Sequence, residues 1–287
     1  MGTMQWSGIP NMETEQVRIK NLLDHLDRLS RHLGRQAKIG EREFKLAGYF
    51  SNILDLQTGN EPEVSAAIQR FLRKPGTFID VGANLGQTLG KVLAIDPTRS
   101  YLGFEPQIAA CHYLDRFIKD NSLSNAQVLP IGLSESEGLQ TFWACGEADT
   151  MATLVASNGN QSRSVIMTRR GDTVLSELNV SEISVIKIDV EGAELSVMRG
   201  FERTLSTIAP PLIFEVLPNY VGHNRQALAA EIASKNRSEA FKLHDFLRNL
   251  GYKIFQLDQD GTEFEVKTFD LDNPEDFRGT NYVAQKA

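Results

Sequence analysis

The chain has 287 residues, 41% hydrophobic and 23% charged, the make-up of an ordinary globular protein with room for one large core and an appendage. Its net charge of −7 gains nothing from counterion release on a phosphate backbone, so no nucleic-acid partner is expected. Cys111 and Cys145 are too few for a disulfide framework, no apolar run nears the roughly 20 residues that span a bilayer, and the first residues lack a signal-peptide pattern; the expectation is a cytoplasmic protein.

Residues 1–10 read as disordered. From 11 to 37, Ile19, Leu22, Leu26, Leu29 and Leu33 recur at spacings of three and four, which predicts a helix. That helix either packs on the main domain or forms a short homodimer seam. Helical patterns follow over 41–56 and 61–72, the latter opening on Glu61-Pro62-Glu63, where Pro and acid suit a helix start. Lys74-Pro75-Gly76 then breaks the chain, which divides it into a helical extension over 11–74 and a domain over 75–287.

Beyond Gly76 short apolar runs alternate with helical segments: 78–81, 101–104, 127–131, 185–188 and 212–216. Near-continuous apolar runs suit buried parallel strands covered by helices on both faces, and the alternation implies an α/β layered fold. A helix over 239–250 and two strands, at 252–257 and 282–284, complete the chain.

Phe78-Ile79-Asp80-Val81-Gly82-Ala83-Asn84-Leu85-Gly86 runs from strand through a glycine turn into a helix. Glycines 82 and 86 allow a sharp turn and close approach of a ligand, and the helix N-terminus offers free N–H groups. Alone this unit suits a dinucleotide equally well, or a ligand-free turn. Glu105, in Phe104-Glu105-Pro106, lies 23 residues beyond Gly82, where an acid of a Rossmann-like fold accepts hydrogen bonds from ribose hydroxyls. A solvated loop acid is the alternative. Two features separate the candidate cofactors. The turn is Gly-Ala-Asn-Leu-Gly with Asp80 just before it, and Ile188-Asp189-Val190-Glu191-Gly192-Ala193-Glu194 brings three carboxylates to the same sheet edge. Both would repel a pyrophosphate and suit a ligand with a cationic amino-acid end.

Together with Phe214-Glu215-Val216, Gly132-Leu133-Ser134 and the terminal Asn281-Tyr282-Val283-Ala284, these motifs resemble the signature series of the FkbM family of methyltransferases, over about Thr77 to Ala284. The resemblance implies a class I methyltransferase, Rossmann-like fold: seven strands, mostly parallel, helices on both faces, and an antiparallel strand at the end. It implies S-adenosylmethionine as cofactor and O-methylation of a hydroxyl on a sugar, glycan or secondary metabolite. Asp80, Gly82, Ala83, Asn84 and Gly86 would line its methionine end, Glu105 and Pro106 the ribose, and Gly132, Leu133 and Ser134 the adenine. Asp189 would stand between cofactor and acceptor.

For catalysis, Asp189 is the first candidate for base or metal ligand, with a helix cap after Gly192 as its plain alternative. His223 is a second candidate base. Asp189, Glu191, Glu194 and Glu215 offer oxygen ligands to a hard cation, but strand alternation keeps all four from converging. No metal is therefore expected, and any that binds would use Asp189, Glu191 and Glu215. Arg169 and Arg170 offer contacts to an acidic substrate group, or a solvated charge pair. The competing readings are an inactive oligomerising adaptor and an NAD-linked oxidoreductase.

Overall fold

The computed structural model describes residues 35–39, 42–46, 61–144, 162–221, 226–272 and 279–286. The first elements are β1 (Arg35–Ile39) and β2 (Arg42–Leu46), an antiparallel hairpin where helix was expected. The reason is a local alternation of period two. Ala37, Ile39, Phe44 and Leu46 are buried, while Gln36, Lys38, Glu43 and Lys45 face outward. The rest of the expected extension, including the proposed dimer seam, lies outside the described residues, as does the expected disorder over 1–10.

Helix α1 (Pro62–Phe71) leads into the alternating unit: β3 (Thr77–Val81), α2 (Gln87–Ile95), β4 (Tyr101–Phe104), α3 (Ile108–Asp120) and β5 (Ala126–Leu129). A second, three-stranded sheet in the order β6-β8-β7 follows, from β6 (Gly132–Leu133), β7 (Gly138–Ala144) and β8 (Ser162–Arg169). Then come α4 (Gly171–Glu177), β9 (Ile183–Ile188), α5 (Glu194–Gly200), α6 (Glu202–Thr207) and β10 (Leu212–Glu215). A small ribbon of β11 (Tyr220–Val221) and β12 (Gln226–Ala227) precedes α7 (Ala230–Asn249), β13 (Lys253–Leu257), β14 (Glu263–Glu265) and β15 (Asn281–Gln285). Helix α7 starts nine residues before the expected 239, because its first half is polar and buries only Ala233.

The main sheet has the order β14-β13-β15-β10-β9-β3-β4-β5. Strands β5, β4, β3, β9 and β10 pair in parallel, and β15 enters antiparallel between β10 and β13. The sheet thus has eight strands among the described residues, one more than the expected seven. The eighth, β14, is an edge strand returned by the Asp258–Thr262 turn, where Asp258 and Thr262 exchange a backbone hydrogen bond and Gly261 takes φ 83°. Its three residues, Glu263, Phe264 and Glu265, include two charges, one of them paired with Arg70 of α1, which hides it from a search for apolar runs.

Alternate strand residues feed two cores. Ile79, Ile186, Leu212 and Ala284 face α4 to α7. Phe78, Val185, Ile213 and Val283 face α1, α2, α3 and the N-terminal hairpin. Both faces of the sheet are thus covered, as the apolar strands require. Val64, Ala67, Ile68 and Phe71 of α1 sit in the second core with Phe78 and Leu89, so α1 is built into the domain across the Lys74-Pro75-Gly76 break. Asn121, at the end of α3, ties on the hairpin by accepting from Lys45 N at 2.8 Å and donating to Lys45 O at 2.7 Å.

The break itself is held by buried Arg99. Its guanidinium donates to the carbonyls of Leu72, Lys74 and Gly76 and to Asp96, so the chain between α1 and β3 needs no secondary structure of its own. Arg99→Met leaves these buried acceptors unpaired and should cost at least ~2 kcal/mol, read as a lower urea midpoint at unchanged slope. A loss below ~0.5 kcal/mol would mean that solvent replaces the clamp.

Candidate active site

The site lies at the C-terminal edge of β3, β4, β9 and β10, where open α/β sheets bind ligands. Gly82 follows β3 with φ 84°, and Gly86 caps α2 with φ 95°. Both positions need glycine, and the atoms they approach are protein. A Cβ on Gly82 would lie 1.9 Å from the carbonyl oxygen of Asp189, and one on Gly86 would lie 2.6 Å from Leu114 Cδ1. The turn is pinned to β4 by Gly82 N and Ala83 N, which donate to Phe104 O at 3.0 and 3.1 Å. Asn84 takes φ 46°, a strained value for a side-chain-bearing residue.

Glu105 stabilises that strain. One carboxylate oxygen accepts from Asn84 N at 2.9 Å and the other from Gln107 N at 2.7 Å, which joins the two turns that frame the cavity. Burial raises its pKa to about 7 against the lowering effect of the two N–H donors, with Asp80 adding repulsion.

The cavity beside this clasp has a volume of about 290 Å³, near the lower end of small-ligand pockets. Its three regions differ in polarity. Pro106, Ile131, Leu133, Phe142 and Ile166 make an apolar end, with Gly132 in its wall. Gly82, Ala83, Asn84 and Glu105 form the middle. Glu61, Lys187, Asp189, Glu191 and Glu215 make an acidic end.

At the acidic end, one oxygen each of Asp189, Glu191 and Glu215 lie within 4.8 Å of one another. Positions 189 and 191 share a side of the chain, Glu191 turns back with φ 54°, and β10 brings Glu215 alongside β9. Glu194 is held elsewhere. It is buried and accepts from Gly192 N and Val190 N, at 3.1 and 3.4 Å, which makes it the cap of the turn before α5. Burial raises its pKa to about 7. The capping role considered for Asp189 therefore belongs to Glu194, and Asp189 pairs instead with Lys187 Nζ at 2.9 Å. Glu215 accepts from Thr280 Oγ1 at 2.5 Å; burial and then Asp189 raise its pKa to about 7.

Of the residues singled out from the sequence, Gly82, Ala83, Asn84, Glu105, Pro106, Gly132, Leu133 and Asp189 line one cavity, and three others stand behind its wall. Asp80 is fully buried, accepts from Tyr101 O–H at 2.5 Å, and is raised in pKa by that burial, with Lys187 the main opposing influence. Gly86 packs on α3, and Ser134 is buried with its hydroxyl 3.0 Å from that of Ser196. His223 lies outside the described residues. Arg169 pairs with Glu177 at 2.7 Å, and Arg170 donates to the carbonyls of Glu135 and Arg199. Both arginines are thus engaged within the protein. The residues missed from the sequence are Lys187, Glu61, Phe142 and Ile166. Only Lys187 carried a signal, as a charge inside the otherwise apolar run 183–188.

Residues 80–254 match the family model described as Methyltransferase FkbM domain. The hexuronic acid methyltransferase AglP of Haloferax volcanii is 27% identical over 184 residues, covering 60% of this chain and 73% of AglP. The AMB antimetabolite synthetase AmbE of Pseudomonas aeruginosa is 24% identical over 212 residues, covering 61% of this chain and only 9% of AmbE. Among solved structures, Methyltransferase FkbM from Methylobacillus flagellatus KT aligns at a TM-score of 0.43 and 16% identity, over 94% of this chain and 60% of that one. With residues 80–254, more than half of its length, matching that model, the chain belongs to the FkbM methyltransferase family.

Proposed function

We propose that the protein is an S-adenosylmethionine-dependent O-methyltransferase acting on a hydroxyl of a sugar, glycan or secondary metabolite. The observation that carries this reading is the cavity's order of polarity around Glu105: apolar end, single buried carboxylate, acidic end. The fit is residue by residue. Leu133, Phe142 and Ile166 offer apolar surface to a flat base, and Glu105 keeps acceptor capacity on both oxygens for ribose hydroxyls. The acidic end attracts a cationic amino-acid group and repels the pyrophosphate of a dinucleotide, which disfavours the NAD reading. An intact cavity with a buried carboxylate likewise argues against an inactive adaptor.

When bound, the cofactor supplies an electrophilic methyl group, whose transfer to an acceptor oxygen leaves the sulfur with the electron pair of the broken bond. The protein's part is to exclude water, align the two reactants and remove the hydroxyl proton. Asp189 takes that proton in this reading. The family relative AglP is named for a hexuronic acid substrate, which supports a saccharide acceptor without defining it. No helix among the described residues is long and apolar enough to cross a membrane.

Titration calorimetry with S-adenosylhomocysteine tests the cofactor. We expect 1:1 binding, weakened about 10- to 150-fold by Glu105→Gln, the equivalent of ~1.5–3 kcal/mol in charge-assisted hydrogen bonds. Because Glu105 titrates near 7 in the free protein, ligand binding must expel a proton at lower pH. Affinity should therefore fall by up to about tenfold per pH unit below 7 and level off above it, a slope that Glu105→Gln flattens. Binding of NAD in place of the adenosyl ligand overturns the reading.

For the proton acceptor, Asp189→Asn should keep S-adenosylhomocysteine affinity within about threefold while lowering turnover by roughly 10²–10⁴, measured with S-adenosylmethionine against a panel of saccharide and polyol acceptors. Equal loss of binding and turnover would instead make Asp189 a cofactor ligand.

A further inference from the structure

Among the described residues Lys187 is the only buried lysine, 6% exposed, and it stands in the wall of the cavity. Nothing in the packing of β9 asks for it. Its neighbours are Ile183, Val185, Ile186 and Ile188, and in register it lies between Asp80 on β3 and Ile213 on β10. A methionine would fill the same space without the cost of desolvating an ammonium ion.

What the position does carry is charge. Residues 187 and 189 share a side of the strand, so the Lys187 ammonium meets Asp189 Oδ2 at 2.9 Å. Asp80, Glu61 and Glu215 are close enough to interact with the same cation. Beyond it, Asp189, Glu191 and Glu215 bring one oxygen each within 4.8 Å of one another, an arrangement whose mutual repulsion a nearby cation lowers. Two solutions exist: a divalent ion held by oxygen ligands, or an ammonium fixed in the chain.

We infer that Lys187 is the positioning residue of the acceptor end: its ammonium takes the place a divalent ion would otherwise hold, fixes Asp189 through Oδ2, and leaves Oδ1 to receive the acceptor's proton. The last clause rests on the methyl-transfer reading above; the substitution of a lysine for a metal ion does not. A cation supplied by the chain is always present, at a set distance from Asp189.

Mn²⁺ titration followed by the electron paramagnetic resonance of free Mn²⁺ tests this on the full chain. Wild type should show no site tighter than about 1 mM, whereas Lys187→Met should bind one Mn²⁺ at least about tenfold tighter, through the uncovered carboxylates. Lys187→Arg keeps the charge and should behave as wild type, and adding Glu191→Gln to Lys187→Met should abolish the gained site. A purely structural lysine would give none of this pattern. Should thermal melting show Lys187→Met to be unfolded, Lys187→Gln repeats the measurement with an amide that still reaches Asp189.

The inference is overturned if wild type binds Mn²⁺ in a manner lost on Glu191→Gln, or if folded Lys187→Met or Lys187→Gln gains no site. S-adenosylhomocysteine binding is measured on the same samples. Its absence from wild type would remove the methyl-transfer reading, while the Mn²⁺ pattern would still decide the role of Lys187.

Discussion

The ends of β3 and β9 come so close at residue 82 that a single methyl group would overlap the Asp189 carbonyl. This contact joins the glycine turn to the acidic segment, two motifs more than a hundred residues apart in sequence. With glycine at 82 the chain reverses at φ 84°, the N–H groups of Gly82 and Ala83 reach Phe104 O, and Asn84 is carried into a left-handed conformation that Glu105 then secures. The same contact sets Asp189 at the mouth of the cavity. In an open ligand-binding turn the glycines would serve the ligand. Here they first serve the packing of strand on strand and helix on helix, and the ligand-sized space is what remains.

Around that space the fold gathers an unusual density of acid. Glu105, Glu194 and Glu215 are each raised to about 7 mainly by burial, and Asp80 is raised too. Buried charge without compensation costs several kcal/mol per ion, so the arrangement persists only because each carboxylate has been given partners. Glu105 and Glu194 accept backbone N–H groups, Glu215 accepts from Thr280, and Asp189 and Asp80 share the field of Lys187. The partners differ in what they leave over. Backbone donors make Glu194 a structural cap, whereas a side-chain partner on one oxygen leaves Asp189 and Glu215 with capacity facing the cavity.

How much of this the sequence made legible follows from the same physics. Central strands were readable because burial on both faces leaves continuous apolar runs, and the turn residues were readable because positive φ and close approach restrict them to glycine. The N-terminal hairpin was misread because its two five-residue strands follow a longer stretch whose leucines repeat at helical spacing. The sheet of β6, β7 and β8 escaped because Leu139, Val165 and Met167 are exposed on its outer face, which blurs the alternation. Asp80 was placed in the cavity from its nearness in sequence to Gly82. Strand alternation instead turns it, with Phe78, onto the face covered by α1 and α2, where it is fully buried beside Tyr101. Of the four acids weighed from the sequence, Asp189, Glu191 and Glu215 stand together through the reversal at Glu191, and Glu194 is held apart by backbone N–H groups.

The family match also divides the cavity. The apolar end and the Glu105 clasp come from within residues 80–254, the span shared with the family. The acidic end takes Lys187, Asp189, Glu191 and Glu215 from that span too, but it also uses residues outside it. Glu61, at the start of α1, lines it while paired with Lys91 at 3.0 Å, and Thr280, just before β15, holds Glu215. Glu63 of α1 accepts from Asn281 at 3.0 Å, so the two flanks of the matched span brace each other across the strand that ends in Glu215. The short segment from Glu61 to Phe71, which sequence pattern alone assigned to an extension, thus supplies a wall residue of the cavity and a brace for the strand beside it.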